Sequence, residues 1–197
     1  MIGSLIAALI GNYMTTCFAI GLIVGLVAVA RHRGPRTPES SSGLLLNAYV
    51  LWAIGVAQAI NFVMHSVFGD FAAASIGWAQ SPFQLELAFS SLGVAVMAFI
   101  LHGRHAPFRG KVAVVIATAI FGYGAAAGHV YQVIANHDYA VNNTGLLLVM
   151  DVAIPTVGLA LVVWHAVSPR TGATDAGGAS SASGTDAVTR PEPAGRR

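Results

Sequence analysis

Gly21-Leu-Ile-Val-Gly-Leu-Val-Ala-Val-Ala-Arg-His-Arg-Gly-Pro-Arg36 is an apolar run that stops on arginines. The pattern recurs along the chain. Arg104, Arg109 and Lys111 separate the third and fourth apolar runs, and Arg170, Arg190, Arg196 and Arg197 follow the fifth. With Arg31, Arg33 and Arg36 these are all 10 Lys and Arg residues, and the connections after the second and fourth runs hold none. Basic residues near helix ends resist transfer across a membrane, so the basic stretches are expected in the cytoplasm. The expectation is a cell-membrane protein with five spans, N-terminus outside and C-terminus inside.

The spans read 4–30, 44–67, 83–101, 111–134 and 144–166. Each supplies the ~20 apolar residues that a ~30 Å hydrocarbon layer requires. Backbone groups in lipid must pair internally, which makes every span a helix. The predicted fold is an all-α integral membrane bundle of five transmembrane helices over 1–167. A Gly, Ala, Ser, Thr and Pro-rich tail over 168–197 follows, too poor in apolar residues to bury a core. The first run lacks a basic leader and is longer than a signal peptide's apolar region, so it is read as a retained span. The composition agrees: 55% of the 197 residues are hydrophobic and only 9% charged, against about a quarter in soluble domains. The net charge of +2 is spent on span ends rather than on a basic stripe, which argues against nucleic-acid binding. A single cysteine, Cys17, excludes an internal disulfide.

Local signals refine the ends. Phe68 to Gln80 reads as a short surface-lying or re-entrant segment with Phe71 and Trp78 at the headgroup level. Ser81, Pro82 and Gln84 suggest a capping box opening the third helix, and Asn142 or Asn143 a cap for the fifth. Gly21-x-x-x-Gly25 and Gly124-x-x-x-Gly128 have the spacing of close helix packing, within the bundle or between copies.

The polar residues inside the spans carry the functional reading. Gln58, Asn61 and His65 share one face of the second helix by their spacing. Glu86 lies on the third, His129 and Gln132 on the fourth, and Asp151 on the fifth, one turn before Pro155. The topology puts all of them in the outer half, Asp151 about 10 Å deep at 1.5 Å per residue. A buried carboxylate costs several kcal/mol unless it is paired, protonated or solvated, and no Lys or Arg stands at that level. A cluster follows, with Gln58, Asn61, His65, Glu86, His129, Gln132 and Asp151 as ligand-binding residues. His65, Glu86, His129 and Asp151 are its candidate metal ligands, suited to a divalent transition metal such as Zn²⁺, Fe²⁺ or Mn²⁺. His32, His102, His105 and His165 read as solvated.

The pieces His65-x-x-x-Gly69-Asp70, Ile76-Gly77-Trp78, Ser81-Pro82-Phe83-Gln84-x-Glu86, Gly128-His129-x-Tyr131-Gln132 and Asp151-x-x-Ile154-Pro155 resemble an uncharacterised family of small bacterial integral membrane proteins. The resemblance covers 44–165. It implies a polytopic membrane protein and no particular activity. No phosphate-loop, nucleophile-elbow, zinc-protease or dinucleotide pattern is present.

Three functions remain. An outward-facing pocket binds a cation or small polar ligand; an enzyme acts on a lipid or quinone-like substrate, with Glu86 or Asp151 as general base and a histidine as acid; or a structural subunit uses polar residues to bond helices together. Interhelical bonds of that last kind average only about 0.6 kcal/mol, which explains amides better than carboxylates. The partners expected are the bilayer and a small or lipid-like ligand, with oligomerisation open.

Overall fold

A computed structural model describes residues 11–170. The first seven positions of the expected first span and residues 171–197 of the tail lie outside them. Among the described residues five helices are long and apolar enough to cross a membrane: α1 (Tyr13–Ala30), α2 (Pro38–Ser66), α4 (Phe83–Leu101), α5 (Phe108–Asn136) and the last, which begins as a four-residue turn, α6 (Val141–Thr144), and continues as α7 (Leu146–Val167). A short helix, α3 (Gly69–Ser75), lies in the connection from α2 to α4, within the partly apolar stretch 68–80. Among the described residues there is no strand.

α2 is the centre of the bundle. Half of its most apolar window is buried, against 17% for α1. Leu46, Val50 and Ile54 recur every fourth residue, putting them on one face, and are essentially inaccessible, packed with Val114 and Val115 of α5. The outer surface is the reverse of a soluble protein's: Ile100, Ile120, Ile134 and Val167 are each at least 70% exposed. In water so many exposed apolar side chains would drive association, whereas hydrocarbon matches them.

α2 begins six residues before the hydropathy pattern suggested. Thr37 and Ser40 form a reciprocal capping box with Pro38 at the first helical position, so the helix starts in a polar turn that hydropathy does not register. The expected box at α4 does not close. Ser81 Oγ accepts weakly from the Phe83 amide at 3.3 Å, while the Gln84 side chain turns instead to His65.

Small residues set the helix distances. A Cβ added at Gly21 would stand 3.0 Å from Trp52 Cβ, and one at Gly25 would stand 2.8 Å from Leu45, so this pair packs α1 onto α2 inside the bundle. Gly124 meets nothing within 4 Å, and the α5–α7 contact uses Gly122, whose added Cβ would be 3.0 Å from the Asp151 carbonyl. Pro155 has no amide hydrogen to offer that carbonyl, and α5 approaches at that point. The segment Val50–Val56 of α2 is π-helical. Just before it, Tyr49 reaches α7 and donates to the Ile154 carbonyl at 3.0 Å.

Both basic connections and the end of α7 meet at one end of the bundle, where His32, Glu39, Arg104, Lys111 and His165 line a common pocket. One of these residues differs from its sequence reading: His165, read as solvated, pairs through Nδ1 with Ser42 Oγ at 2.9 Å and packs on the Phe108 ring. Lys111 is buried. Lysine's long apolar stem reaches into a bundle while its ammonium finds polar partners.

Candidate functional site: a buried histidine–aspartate pair

At the opposite end, α5 and α7 each place one titratable side chain in the interior. His129 and Asp151 are 5% and 8% exposed, and His129 Nε2 stands 3.5 Å from Asp151 Oδ2. That is wider than the 2.7–2.9 Å of a charge-assisted hydrogen bond.

The imidazole is held on its other side. His129 Nδ1 lies 2.7 Å from Asn143 Oδ1, and Asn143 is completely buried. The Asn143 amide nitrogen donates to the Asp138 carbonyl at 2.8 Å and to the His129 carbonyl at 3.4 Å. Both donors are thereby committed to acceptors, which orients Oδ1 toward the imidazole. An oxygen acceptor at Nδ1 requires hydrogen on Nδ1. A neutral His129 then turns the lone pair of Nε2 toward the Asp151 carboxylate. Two electron-rich atoms facing one another in a buried space call for a shared proton or a cation between them.

The connections at this end close the site from above. Gly77 takes a positive φ of 78°, a turn that glycine adopts without strain, and a Cβ there would strike the Asp138 carboxylate at 2.6 Å. The turn delivers Trp78, whose ring lies over His129 at 5.4 Å between centroids. Asp138 Oδ1 accepts from the Ala140 amide at 3.0 Å, ordering the connection that carries Asn143. Its Oδ2 is buried with no hydrogen-bond partner among the described residues.

Asp151 also borders a cavity of about 30 Å³ that Gln58, Tyr49 and Thr118 line with it. One water needs roughly 10–15 Å³ of such space, so the cavity accommodates one or two waters or a small ion. Asp151 is the residue that touches both the imidazole and the cavity.

The other sequence candidates divide. Gln58 joins Asp151 at the cavity. Asn61 accepts from the Tyr13 hydroxyl and donates to Ser91 Oγ at 2.8 Å, tying α1, α2 and α4 together. His65 pairs with Gln84 across α2 and α4 beside a broad basin at the same end. Gln132 accepts from Asn136 one turn along its own helix. Glu86 is exposed on the surface of α4. Among the described residues no three His, Cys, Asp or Glu side chains stand close enough to share a metal ion. The four-ligand centre of His65, Glu86, His129 and Asp151 is therefore replaced by the His129–Asp151 pair. The rotation of α4 about its axis is the reason, since it turns Glu86 away from the interior.

Asn143, Trp78 and Asp138 escaped the sequence reading. Asn143 looked like a helix cap, yet α7 starts after Gly145 and Asn143 serves His129 instead. The available signal was the pair Asn142-Asn143 in a connection short enough to fold back over α5.

A family model described as a family of unknown function (DUF6790) matches residues 11–171. The chain belongs to that family. Neither a curated protein nor a solved structure matches it. The matched range contains every residue of the site described above.

Proposed function

We propose that this protein resides in the cell membrane as a multi-pass protein, with its basic end in the cytoplasm, and binds a small cation or small polar ligand at the outer end. The recognition pair is His129 and Asp151, with Gln58 and one or two waters completing the site from the cavity. The observation that carries this reading is the hydrogen-bond accounting: Asn143 occupies the Nδ1 hydrogen of His129, so the facing Nε2 and Asp151 Oδ2 need a positive charge between them. The 3.5 Å separation also suits a metal ion. Two ligands at about 2.1 Å on a tetrahedral centre stand roughly 3.4 Å apart. A metal there takes two protein donors and fills its remaining positions with water, while a proton needs only the pair.

The test is thermal denaturation of the purified full-length protein with and without Zn²⁺ or Mn²⁺, joined to elemental analysis and to ¹⁵N spectra of the His129 ring. Ligand at about a hundredfold over its dissociation constant adds about 2.7 kcal/mol of stability. Wild-type protein is expected to show that stabilisation, or else an Nε2 signal that carries hydrogen. A protein with neither response, or an Asp151→Asn variant that keeps both unchanged, would overturn the reading.

A half of the outer polar layer supports a purely structural role. Tyr13, Asn61, Ser91, His65 and Gln84 bond across α1, α2 and α4 and leave no carboxylate between them. These residues hold helices together beside the site and are not part of it.

A further inference from the structure

The end that carries the basic connections holds a second pocket. The starts of α2 and α5, the end of α7 and the 102–107 connection surround a pocket of about 270 Å³. Its charged lining is Lys111, Arg104 and Glu39, joined by the imidazoles of His32 and His165. Leu44 and Phe108 supply apolar wall.

Lys111 is only 7% exposed. Its ammonium donates to Asn47 Oδ1 and to the Gly103 carbonyl, the latter at 2.8 Å. Both partners are neutral. An ammonium has three donors, so one hydrogen and the whole positive charge remain for a ligand. Arg104 sits exposed at the rim and presents a planar fork suited to two oxygens of one tetrahedral anion. The ring of His165 is fixed against the wall by Ser42 and Phe108, whose ring centroid is 4.9 Å away. Two fixed cations against one carboxylate leave the lining net positive. Lys111 lies in the first turn of α5, at the end of an apolar helix.

We propose that this pocket binds a phosphate group, with Lys111 and Arg104 on its oxygens, and that the bound species is the headgroup of an anionic phospholipid. The mixed lining favours a lipid over free phosphate: the phosphate meets the cations while Leu44 and Phe108 contact the start of the acyl region. Basic pockets between transmembrane helices bind anionic headgroups in this way. The volume takes a headgroup and excludes a whole lipid, so the acyl chains remain in the bilayer. The inference is independent of the His129–Asp151 site, which lies at the other end.

The experiment uses full-length protein in mixed micelles containing phosphatidylglycerol or phosphatidylcholine, with native mass spectrometry to count retained lipid. Thermal shifts in millimolar inorganic phosphate run beside it. Wild-type protein is expected to retain phosphatidylglycerol in preference to phosphatidylcholine. Lys111→Gln should weaken that retention about tenfold or more, as the loss of one hydrogen bond to a charged group does, and Arg104→Gln severalfold. Because Arg104 is exposed, its variant folds even if Lys111→Gln does not. Stabilisation by inorganic phosphate that both variants lose would assign the pocket to free phosphate and keep the phosphate chemistry. Equal retention of the two lipids together with no phosphate shift would overturn the proposal. So would an Arg104→Gln protein that binds phosphatidylglycerol as tightly as wild type.

Discussion

The two ends of this bundle handle buried charge in opposite ways. At one end Asp151 is enclosed with His129 beside a cavity of about 30 Å³, under Trp78 and a folded-back connection. At the other, Lys111 sits in a pocket of about 270 Å³ with Arg104, two imidazoles and the single carboxylate of Glu39, its own hydrogen bonds going to neutral oxygens. A buried charge must find a counter-charge or a ligand within a few ångströms: the end closed over by Trp78 carries a matched pair, whereas the basic end turns an excess of positive charge toward its pocket. The smaller cavity admits something the size of a water or a bare ion, and the larger pocket leaves room for a headgroup.

The largest effect that could break this contrast is on Asp151. Asp151→Asn removes the negative member while keeping the shape, and the bundle should fold because a buried charge is lost with it. Cation affinity, read by calorimetry or by metal content, should drop by about tenfold to a hundredfold, the range seen when metal-site support is removed. Unchanged affinity would mean that the closed end is no more charge-selective than the lipid-facing surface.

Asn143 is next. Its replacement by alanine strands the His129 ring and the Asp138 carbonyl, both of which it bonds. Leaving buried polar groups unpaired costs about 1–3 kcal/mol, so Asn143→Ala should lower the denaturation midpoint and free the imidazole to change its protonated nitrogen. A midpoint within error of wild type would show that the closed end is not held by this amide.

Between the two ends stands the contact of Tyr49 with α7. A Cβ at Gly158 would lie 2.4 Å from the Tyr49 hydroxyl. Gly158→Ala should therefore destabilise by about 1–3 kcal/mol through overpacking, and Tyr49→Phe in the same chain should recover part of it, a coupling measurable as a double-mutant cycle. If the ends act separately, cation binding and lipid retention will each survive this change once the protein is folded. Loss of both together would show that they are coupled through α7.

The smallest effect is expected at Glu86. As an exposed side chain on α4, Glu86→Gln should change stability by no more than about 0.5 kcal/mol and leave cation affinity intact. A large loss would return Glu86 to the site and make the outer half a shared cluster after all.

Much of the architecture was legible because it is written locally. Runs of about twenty apolar residues and the arginines that stop them depend on neighbours along the chain alone. The structure returns the five long apolar helices and gathers the basic connections at one end. The candidate site was legible only in part. His129 and Asp151 were singled out because an unneutralised carboxylate in an apolar helix is expensive wherever the helix turns. Their partner Asn143 was hidden by a connection whose path back over α5 no local pattern records.

What the sequence determined by itself is therefore the all-α class, the span count and the one-sided placement of basic residues, since length, hydropathy and charge order are properties of the chain. Which polar side chains meet was decided by the tertiary structure. Helical spacing shows which residues share a face, but a helix that is apolar all round carries no mark of the face that turns inward. α4 could have offered Glu86 to the interior or to the outside, and its packing against α2 through Gly55 and Phe99 set the rotation that excludes it. The same packing freedom put Lys111 inside, where its stem fills space between helices and its charge waits on an anion from outside.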